Sequence, residues 1–283
     1  ETRDSHCRAQ PPNLSPERKS DQLGSAFMKI SVADPSDGAA ISVDNLIKNY
    51  RLGDESIEVL RGLSIEVQRG ETVAIMGPSG SGKTTLLNCI SGIDSPDGGT
   101  VSVIGKQVDY TNQKMRTELR RRDVGMVFQF FNLVPTLTVR ENIMLPFLIA
   151  GRTGDDVEER VAELLERAGM GRRAAHRPHQ LSGGEMQLTS IARALAHNPG
   201  IVLADEPTGN VNPAVGRSIM ETLRMATKAE GTAVLLVTHS PEHAAWADRV
   251  CFIKDGVIAT DQAQAGNDGD VRPIHETLMR LGI

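Results

Sequence analysis

Aromatic residues are scarce in this chain of 283 residues, which has six Phe, two Tyr and one Trp. Few rings are therefore available for stacking on nucleic-acid bases. The formal net charge is −5, whereas a nucleic-acid-binding surface needs clustered Lys and Arg. One basic cluster is present, Arg116 with residues 120–122, and the overall acidity favours a solvated helix face over a DNA-binding patch. We expect no nucleic-acid partner.

Cysteine and long apolar runs are scarce as well. Cys7, Cys89 and Cys251 are widely spaced and form no C-x-x-C pair, which argues against a zinc site and a disulfide framework. Cys89 and Cys251 lie in apolar stretches and are predicted to be buried thiols in a reducing compartment. The longest apolar run, residues 143–150, is far shorter than the ~20 residues that span a bilayer. We recognise no secretory signal in the first residues given and expect that a membrane role would need a separate partner.

Composition divides the chain near residue 40. Residues 1–39 are polar and rich in turn formers, and we expect a disordered extension there. Alternating apolar residues predict strands at 41–50, 58–67 and 100–105, and together they suggest a small antiparallel sheet beside a parallel one. Apolar stripes with helical spacing predict helices at 138–150 and 155–168.

The clearest functional motif lies between an apolar strand, residues 72–76, and a helix, residues 84–90. It fits G-x-x-x-x-G-K-[ST], the phosphate-binding P-loop. Its backbone N–H groups and the helix N-terminus would hold phosphate oxygens. The side chain of Lys83 would reach the β- and γ-phosphates of ATP, and Thr84 would ligate Mg²⁺. The alternative, a glycine-rich turn that binds nothing, is disfavoured by the flanking strand and helix. The predicted phosphate-binding residues are Gly77, Pro78, Ser79, Gly80, Ser81, Gly82, Lys83, Thr84 and Thr85.

A second strand, residues 201–204, ends in the carboxylates Asp205 and Glu206. After a P-loop, this pattern indicates that Asp205 holds Mg²⁺, usually through water, and that Glu206 polarises the attacking water. A third apolar strand, residues 233–238, ends at His239, where open α/β sheets bind ligands. His239 is predicted to hydrogen-bond the γ-phosphate, with an ordinary loop histidine as the alternative.

Three further positions are weaker candidates on their residues alone. Gln129 closes a core strand; it either reaches Mg²⁺ or the attacking water, or it only satisfies backbone groups. Tyr50 ends a strand, and stacking on adenine and an edge-strand position remain equally open. The segment Ser182-Gly183-Gly184-Glu185 begins a helix, where an anion site and a capping box are both predicted.

The loop 130–135 exposes Phe130 and Phe131, which indicates a covering partner.

The order of these motifs along residues 40–260 resembles the ATP-binding-cassette (ABC) ATPases. Within them, the P-loop, the loop 130–135, residues 140–146 and residues 203–210 look like the MacB/LolD/FtsE group, the ATPase subunits of macrolide exporters, lipoprotein-releasing complexes and cell-division complexes. The resemblance implies an α/β fold with a RecA-like P-loop core, an antiparallel β subdomain and an inserted α-helical subdomain at about 130–186, all within residues 40–283.

The resemblance also implies partners and roles. Two copies would sandwich two Mg-ATP between the P-loop of one and Ser182–Gly184 of the other, with Tyr50 stacking on adenine and His239 sensing the γ-phosphate. Gln129 and the loop up to Pro135 would contact a transmembrane permease, and the chain would lie on the cytoplasmic face of the plasma membrane. The competing role is that of an FtsE-like subunit that signals to an extracytoplasmic enzyme without moving substrate; a soluble ATPase working on ribosomes or DNA is the third hypothesis.

Three features depart from the family pattern. Asn212 stands where Asp is usual, which keeps a helix cap but loses the charge in the loop that crosses the implied dimer. Leu188 stands where the family usually has Arg. The extension 1–39 has no counterpart. No departure removes a catalytic group, so we expect ATPase activity.

Overall fold

The computed structural model describes residues 38–53, 55–263 and 269–283, apart from the side chains of residues 262 and 263. All of them belong to one compact unit. The predicted extension 1–39 thus lies outside the described residues except at its end. There, Ala39 already pairs with Gln68, so the first strand begins two residues before the predicted start at residue 41.

The helices and strands follow the predicted order and add several short elements. In chain order they are β1 (Ala39–Leu52), β2 (Glu55–Gln68), β3 (Thr72–Met76), α1 (Lys83–Ile90), β4 (Gly98–Val103), β5 (Lys106–Gln107), α2 (Gln113–Arg122), β6 (Val124–Val127), α3 (Val139–Ile149), α4 (Asp155–Arg167), α5 (Gly183–Leu195), β7 (Ile201–Asp205), α6 (Pro213–Glu230), β8 (Ala233–Val237), α7 (Pro241–Ala244), β9 (Arg249–Lys254), β10 (Val257–Ala263) and α8 (Arg272–Leu281). Two short 3₁₀ helices, Gly171–Arg173 and Pro178–Gln180, precede α5.

Two sheets organise these elements. One has the order β2-β1-β4-β5 and is antiparallel throughout. The other has the order β10-β9-β3-β8-β7-β6, and all its neighbouring strands are parallel except β9 and β10. The predicted antiparallel sheet beside a parallel one is therefore observed. Among the described residues no helix is long and apolar enough to cross a bilayer.

The central strands are apolar because both faces of their sheet are covered. Along β3, Val73 and Ile75 pack with the antiparallel sheet and α1, whereas Ala74 and Met76 pack with helices α3–α6. Strands β7, β8 and β9 alternate in the same way. Cys89 and Cys251 are buried free thiols, as predicted. Helices α3 and α4 share one buried cluster with the sheet, and the bounds of the helical subdomain, about 130–186, stay a prediction.

Two expectations need correction. Arg116 and Arg120 do not belong to a solvated helix face, because both donate hydrogen bonds to backbone carbonyls just after α1, at Ser91 and Gly92. The cationic groups thereby satisfy carbonyls that the end of a helix leaves free. In addition, the polar residues 261–272 predict a loop, whereas residues 261–263 belong to β10. Residues 264–268 of that predicted loop lie outside the described range.

One buried amide holds the loop before α3. The Asn142 side chain accepts a hydrogen bond from Val134 N at 2.8 Å and donates to the carbonyls of Val134, Leu137 and Thr138. Asn142 is fully buried, so these backbone groups have little access to water. The amide therefore substitutes for regular secondary structure in this loop.

We expect Asn142→Leu, which keeps the volume and removes the hydrogen bonds, to lower the free energy of unfolding by about 1–3 kcal/mol, because buried backbone groups lose their partners. Urea denaturation measures this as a lower midpoint at unchanged slope. An unchanged midpoint would show that packing alone holds the loop.

Candidate active site

The P-loop connects β3 to α1 and leaves backbone donors open. Gly82, the N-cap of α1, has φ 101°, and no side chain caps the helix. At Gly77 a Cβ atom would lie 2.2 Å from the carbonyl oxygen of Ile253, so only glycine fits there. The buried hydroxyl of Ser81 has no hydrogen-bond partner among the described residues. An uncapped helix start with an unpartnered hydroxyl beside it suits a phosphate group.

Lys83 folds back over this loop. Its ammonium donates to the carbonyls of Gly77 at 2.9 Å and Pro78 at 2.8 Å. Burial lowers the pKa of Lys83, and the carboxylates of Glu206 and Asp205 act in the opposite direction. The ammonium therefore lies between the P-loop and two acidic groups, where phosphate oxygens would exchange places with its carbonyl partners.

The side chain of Thr84, in the first turn of α1, meets that of Asp205 at the end of β7. The Thr84 hydroxyl donates to Asp205 Oδ2 at 3.0 Å. Burial raises the pKa of Asp205, Glu206 adds to that rise, and the Thr84 hydrogen bond and Lys83 oppose it. A hydroxyl and a carboxylate are the hard oxygen ligands that Mg²⁺ prefers, directly or through water. The residues present therefore fit the predicted Mg²⁺.

Glu206 and His239 form the second pair of the site. His239 Nδ1 donates to Glu206 Oε2 at 2.8 Å. The Glu206 side chain is 14% exposed and the His239 side chain 71% exposed, so the carboxylate is sheltered while the imidazole remains accessible. Glu206 has a left-handed backbone with φ 46°, which is strained for a residue with a Cβ. Its N–H donates to the Val237 carbonyl at 3.0 Å, and its own carbonyl accepts from Gly209 N at 3.1 Å.

Gln129 and Tyr50 flank these pairs. The Gln129 carbonyl accepts a hydrogen bond from Asn210 Nδ2 at 3.2 Å, and a Cβ at Gly209 would lie 3.8 Å from its amide nitrogen. The Tyr50 hydroxyl donates to Asp94 Oδ2 at 2.6 Å, with the Lys48 ammonium 4.9 Å from the ring centroid. The roles of Gln129 toward Mg²⁺ and of Tyr50 toward adenine stay predictions.

The segment Ser182–Glu185 forms the predicted capping box at the start of α5. Ser182 Oγ accepts from Glu185 N, and Glu185 Oε2 accepts from Ser182 N at 2.8 Å. Arg173 Nε donates to the other Glu185 oxygen at 2.9 Å. Hydrogen bonds from the backbone and the hydroxyl of Ser182, then from Arg173, hold the pKa of Glu185 below its usual range. Glu185 is therefore engaged in capping, and its predicted contact with nucleotide stays a prediction.

The two predicted exposed aromatic residues differ in the structure. Phe130 is 73% exposed. Phe131 is half-buried, and a Cβ at Gly183 would lie 3.8 Å from its ring. The predicted exposure of Phe131 is therefore wrong, because the loop folds against the start of α5. Arg193 Nη1 and Nη2 hold it there by donating to the carbonyls of Asn132 and Phe131.

Comparison with known proteins identifies the family. A family model described as "ABC transporter" matches residues 60–209, just over half of the chain. The chain belongs to the ABC transporter family.

Curated relatives place this cassette in the predicted group. The chain is 44% identical over 221 residues to the "Lipoprotein-releasing system ATP-binding protein LolD" of Pseudomonas syringae pv. tomato, covering 78% of this chain and 97% of that protein. It is 40% identical over 250 residues to the "Macrolide export ATP-binding/permease protein MacB" of Syntrophobacter fumaroxidans, covering 85% of this chain but 35% of that protein. The resemblance to the MacB/LolD group is confirmed.

Solved structures confirm the fold. The dimeric cassette MJ0796 bound to ADP and Pi, in a post-hydrolysis state, aligns with TM-score 0.75 and 38% identity, covering 80% of this chain and 99% of that one. A second dimeric structure of MJ0796, a bacterial ABC transporter cassette, aligns equally well at 40% identity. The predicted α/β P-loop cassette is therefore correct, and the ABC cassette described here is an ATP-binding ATPase.

Sequence reasoning missed two residues behind the site. Thr208 Oγ1 and His243 Nδ1 share a hydrogen bond of 2.8 Å, although 35 positions separate them. His243 lies on α7, which is too short to show a periodic pattern, and no motif includes it. Its position four residues after His239 was the single available signal.

We expect Asp205→Asn to raise the melting temperature measured without nucleotide, because the desolvated carboxylate is replaced by a neutral group that still accepts from Thr84. The same change should weaken Mg²⁺-dependent turnover about tenfold to a hundredfold, as for residues that orient a metal. Thermal unfolding and an Mg²⁺ titration of ATPase activity measure the two effects. A lower melting temperature would contradict the cost assigned to burial of Asp205.

Proposed function

We propose that this cassette is the ATPase subunit of an export or lipoprotein-releasing complex, in which two copies close on two Mg-ATP and drive a separate permease. The observation that carries the proposal is the meeting of Thr84 with Asp205 and of Glu206 with His239 beside the P-loop. The names of the relatives supply the class of process, lipoprotein release or macrolide export. The subunit would bind peripherally to the cytoplasmic face of the plasma membrane.

In the proposed mechanism each residue has one task. The P-loop N–H groups and Lys83 would hold the phosphates, and Thr84 and Asp205 would hold Mg²⁺, which would supply charge neutralisation. Glu206 accepts a proton of the attacking water, since its carboxylate faces the site and is an acceptor only. His239 holds Glu206 through Nδ1 and, being exposed, is able to reach the γ-phosphate. Gln129 would contact the metal or the attacking water.

The second copy supplies Ser182–Gly184. The capping box uses Glu185 N and Ser182 N, while the N–H groups of Gly183 and Gly184, at the same helix start, take no part in the box. These two donors would bind the γ-phosphate of the partner's ATP. The dimeric cassettes among the solved structures support this arrangement.

A groove beside the loop 129–135 suits the permease. It has a volume of about 410 Å³. Its apolar wall includes Phe128, Leu145, Pro146 and Ile149, and its basic wall includes Arg120, Arg121 and Arg193. Leu148 and Ile149 on α3 are 47% and 59% exposed, and Phe130 lies in the adjoining loop. An amphipathic permease helix with an acidic side chain would cover both walls.

We expect Glu206→Gln to bind ATP, to form a stable dimer and to lose turnover by at least about a hundredfold, because the amide accepts no proton. Lys83→Ala should lose ATP binding itself and serves as the contrasting variant. Sizing chromatography with and without Mg-ATP, together with phosphate release, measures both. Brisk hydrolysis by Glu206→Gln would refute the assignment of the base.

Tagged Glu206→Gln protein, held with ATP, should retain the permease from detergent-solubilised membranes of the native host. A partner with few spans and a large extracytoplasmic domain would support the proposed complex. Ribosomal or DNA-bound material without a membrane protein would overturn it.

We expect Ile149→Glu to abolish co-purification of the permease, since a charge would enter the apolar wall, while the ATP-bound dimer still forms. Met225→Glu is the matched control, because Met225 is similarly exposed at 55% and lies on α6, outside the groove. An equal loss of permease co-purification in both variants would argue against this docking surface.

A further inference from the structure

Two hydrogen bonds connect the segment after β7 with the segment after β8. The first joins Glu206 to His239, and the second joins Thr208 to His243. The second hydrogen bond lies two residues further along the first segment, from 206 to 208, and four residues further along the second, from 239 to 243. His239 precedes α7 and His243 lies on it, and both imidazoles contact the segment 206–208 that follows β7.

The backbone conformation of the turn that contains Glu206 must be held by contacts with neighbouring residues. The left-handed backbone of Glu206 is unfavourable for a non-glycine residue and persists only where surrounding contacts fix it. Within the turn, Gly209 N donates to the Glu206 carbonyl. From outside, the Thr208 hydroxyl is 35 positions from His243 in sequence yet is bonded to it, and Thr208 is only 6% exposed. The contact thus acts on the turn from behind the site.

His243 is itself fixed from three sides. Its N–H donates to Ser240 Oγ, the cap of α7. Its ring lies against α6, where a Cβ on Gly216 would approach His243 Nε2 to 2.9 Å. A Cβ at this position would also lie 3.8 Å from the Thr208 methyl group. Glycine at 216 therefore provides the space in which the ring reaches Thr208.

We propose that His243 is a positioning residue for ATP hydrolysis: through Thr208 it holds the turn 206–209 so that Glu206 keeps its backbone conformation and its contact with His239. The inference rests on the proposed role of Glu206 as the base. His243 touches neither ATP nor the attacking water. It acts on the carboxylate through the turn, at a distance of two residues.

The test is a mutant cycle on the full chain. His243→Ala and Thr208→Val should each lower kcat about twofold to tenfold, the effect of one hydrogen bond, and the double variant should lose no more than either single one. KM for ATP should stay unchanged, because the P-loop contacts are intact. Thr208→Ser keeps the hydroxyl and should restore kcat.

Gly216→Ala tests the same contact without removing either hydrogen-bonding group. In the wild-type background the added methyl group must displace the His243 ring, so kcat should fall by a similar factor. In the His243→Ala background the same methyl group no longer meets the ring and keeps an ordinary contact of 3.8 Å with the Thr208 methyl group, so kcat should stay unchanged, while the helix gains stability from replacing glycine. Dependence on the background separates positioning from general damage to α6.

Unchanged kcat in His243→Ala, additive losses in the double variant, or an equal loss from Gly216→Ala in both backgrounds would overturn the proposal. A fall in kcat that tracks a fall in melting temperature across all variants, without rescue by Thr208→Ser, would also overturn it. Failure of the proposed function is distinguished by Glu206→Gln. If that variant turns over normally the base assignment fails, whereas an inert Glu206→Gln with a normal His243→Ala removes only the role of His243.

Discussion

The register of three parallel strands is the constraint on which the site depends. Asp205 on β7 pairs with Val237 on β8, and Val237 pairs with Ile75 on β3, so the three residues form one row across the sheet. Glu206, Thr238-His239 and the P-loop follow the ends of these strands and therefore lie at the same edge of the sheet. A slip of β7 by one residue would move Asp205 away from Thr84 and turn its apolar residues to the wrong faces. Packing of Val, Leu and Ile side chains thus sets the distances between polar ones.

The departures from the family pattern have local physical accounts. Asn212 caps α6, with Oδ1 accepting from Val215 N at 3.0 Å, so the helix start is kept while the negative charge is lost. Leu188 is half-buried and packs against the cluster formed by the helices and the sheet. An apolar residue at 188 therefore contributes burial where a longer cationic side chain would contribute surface contacts. Both replacements preserve the frame of the site.

Most of the fold followed from sequence because the informative patterns are local. The strands β3, β7 and β8 are uninterrupted apolar runs, and the P-loop and the capping box occupy consecutive residues. The features that were predicted wrongly or missed are contacts between segments that are distant in sequence. They are the contact of Arg120 with Ser91, the burial of Phe131 against α5, and the hydrogen bond between Thr208 and His243. Elements as short as β5 and α7 show no period. Neither the spacing nor the residue types of these contacts reveals them before the chain is folded.

The two helix N-termini of the site differ in what completes them. At α1 the cap is a left-handed glycine without a side chain, so the first N–H groups depend on an external anion. At α5 the box of Ser182 and Glu185 satisfies two donors internally. The start of α5 is therefore ordered by its own residues, and only Gly183 and Gly184 remain for a ligand. In the proposed dimer, the P-loop would then gain most of its order from ATP. The opposing Ser182–Gly184 segment would add two preformed donors at little entropic cost, which favours closure only after nucleotide has bound.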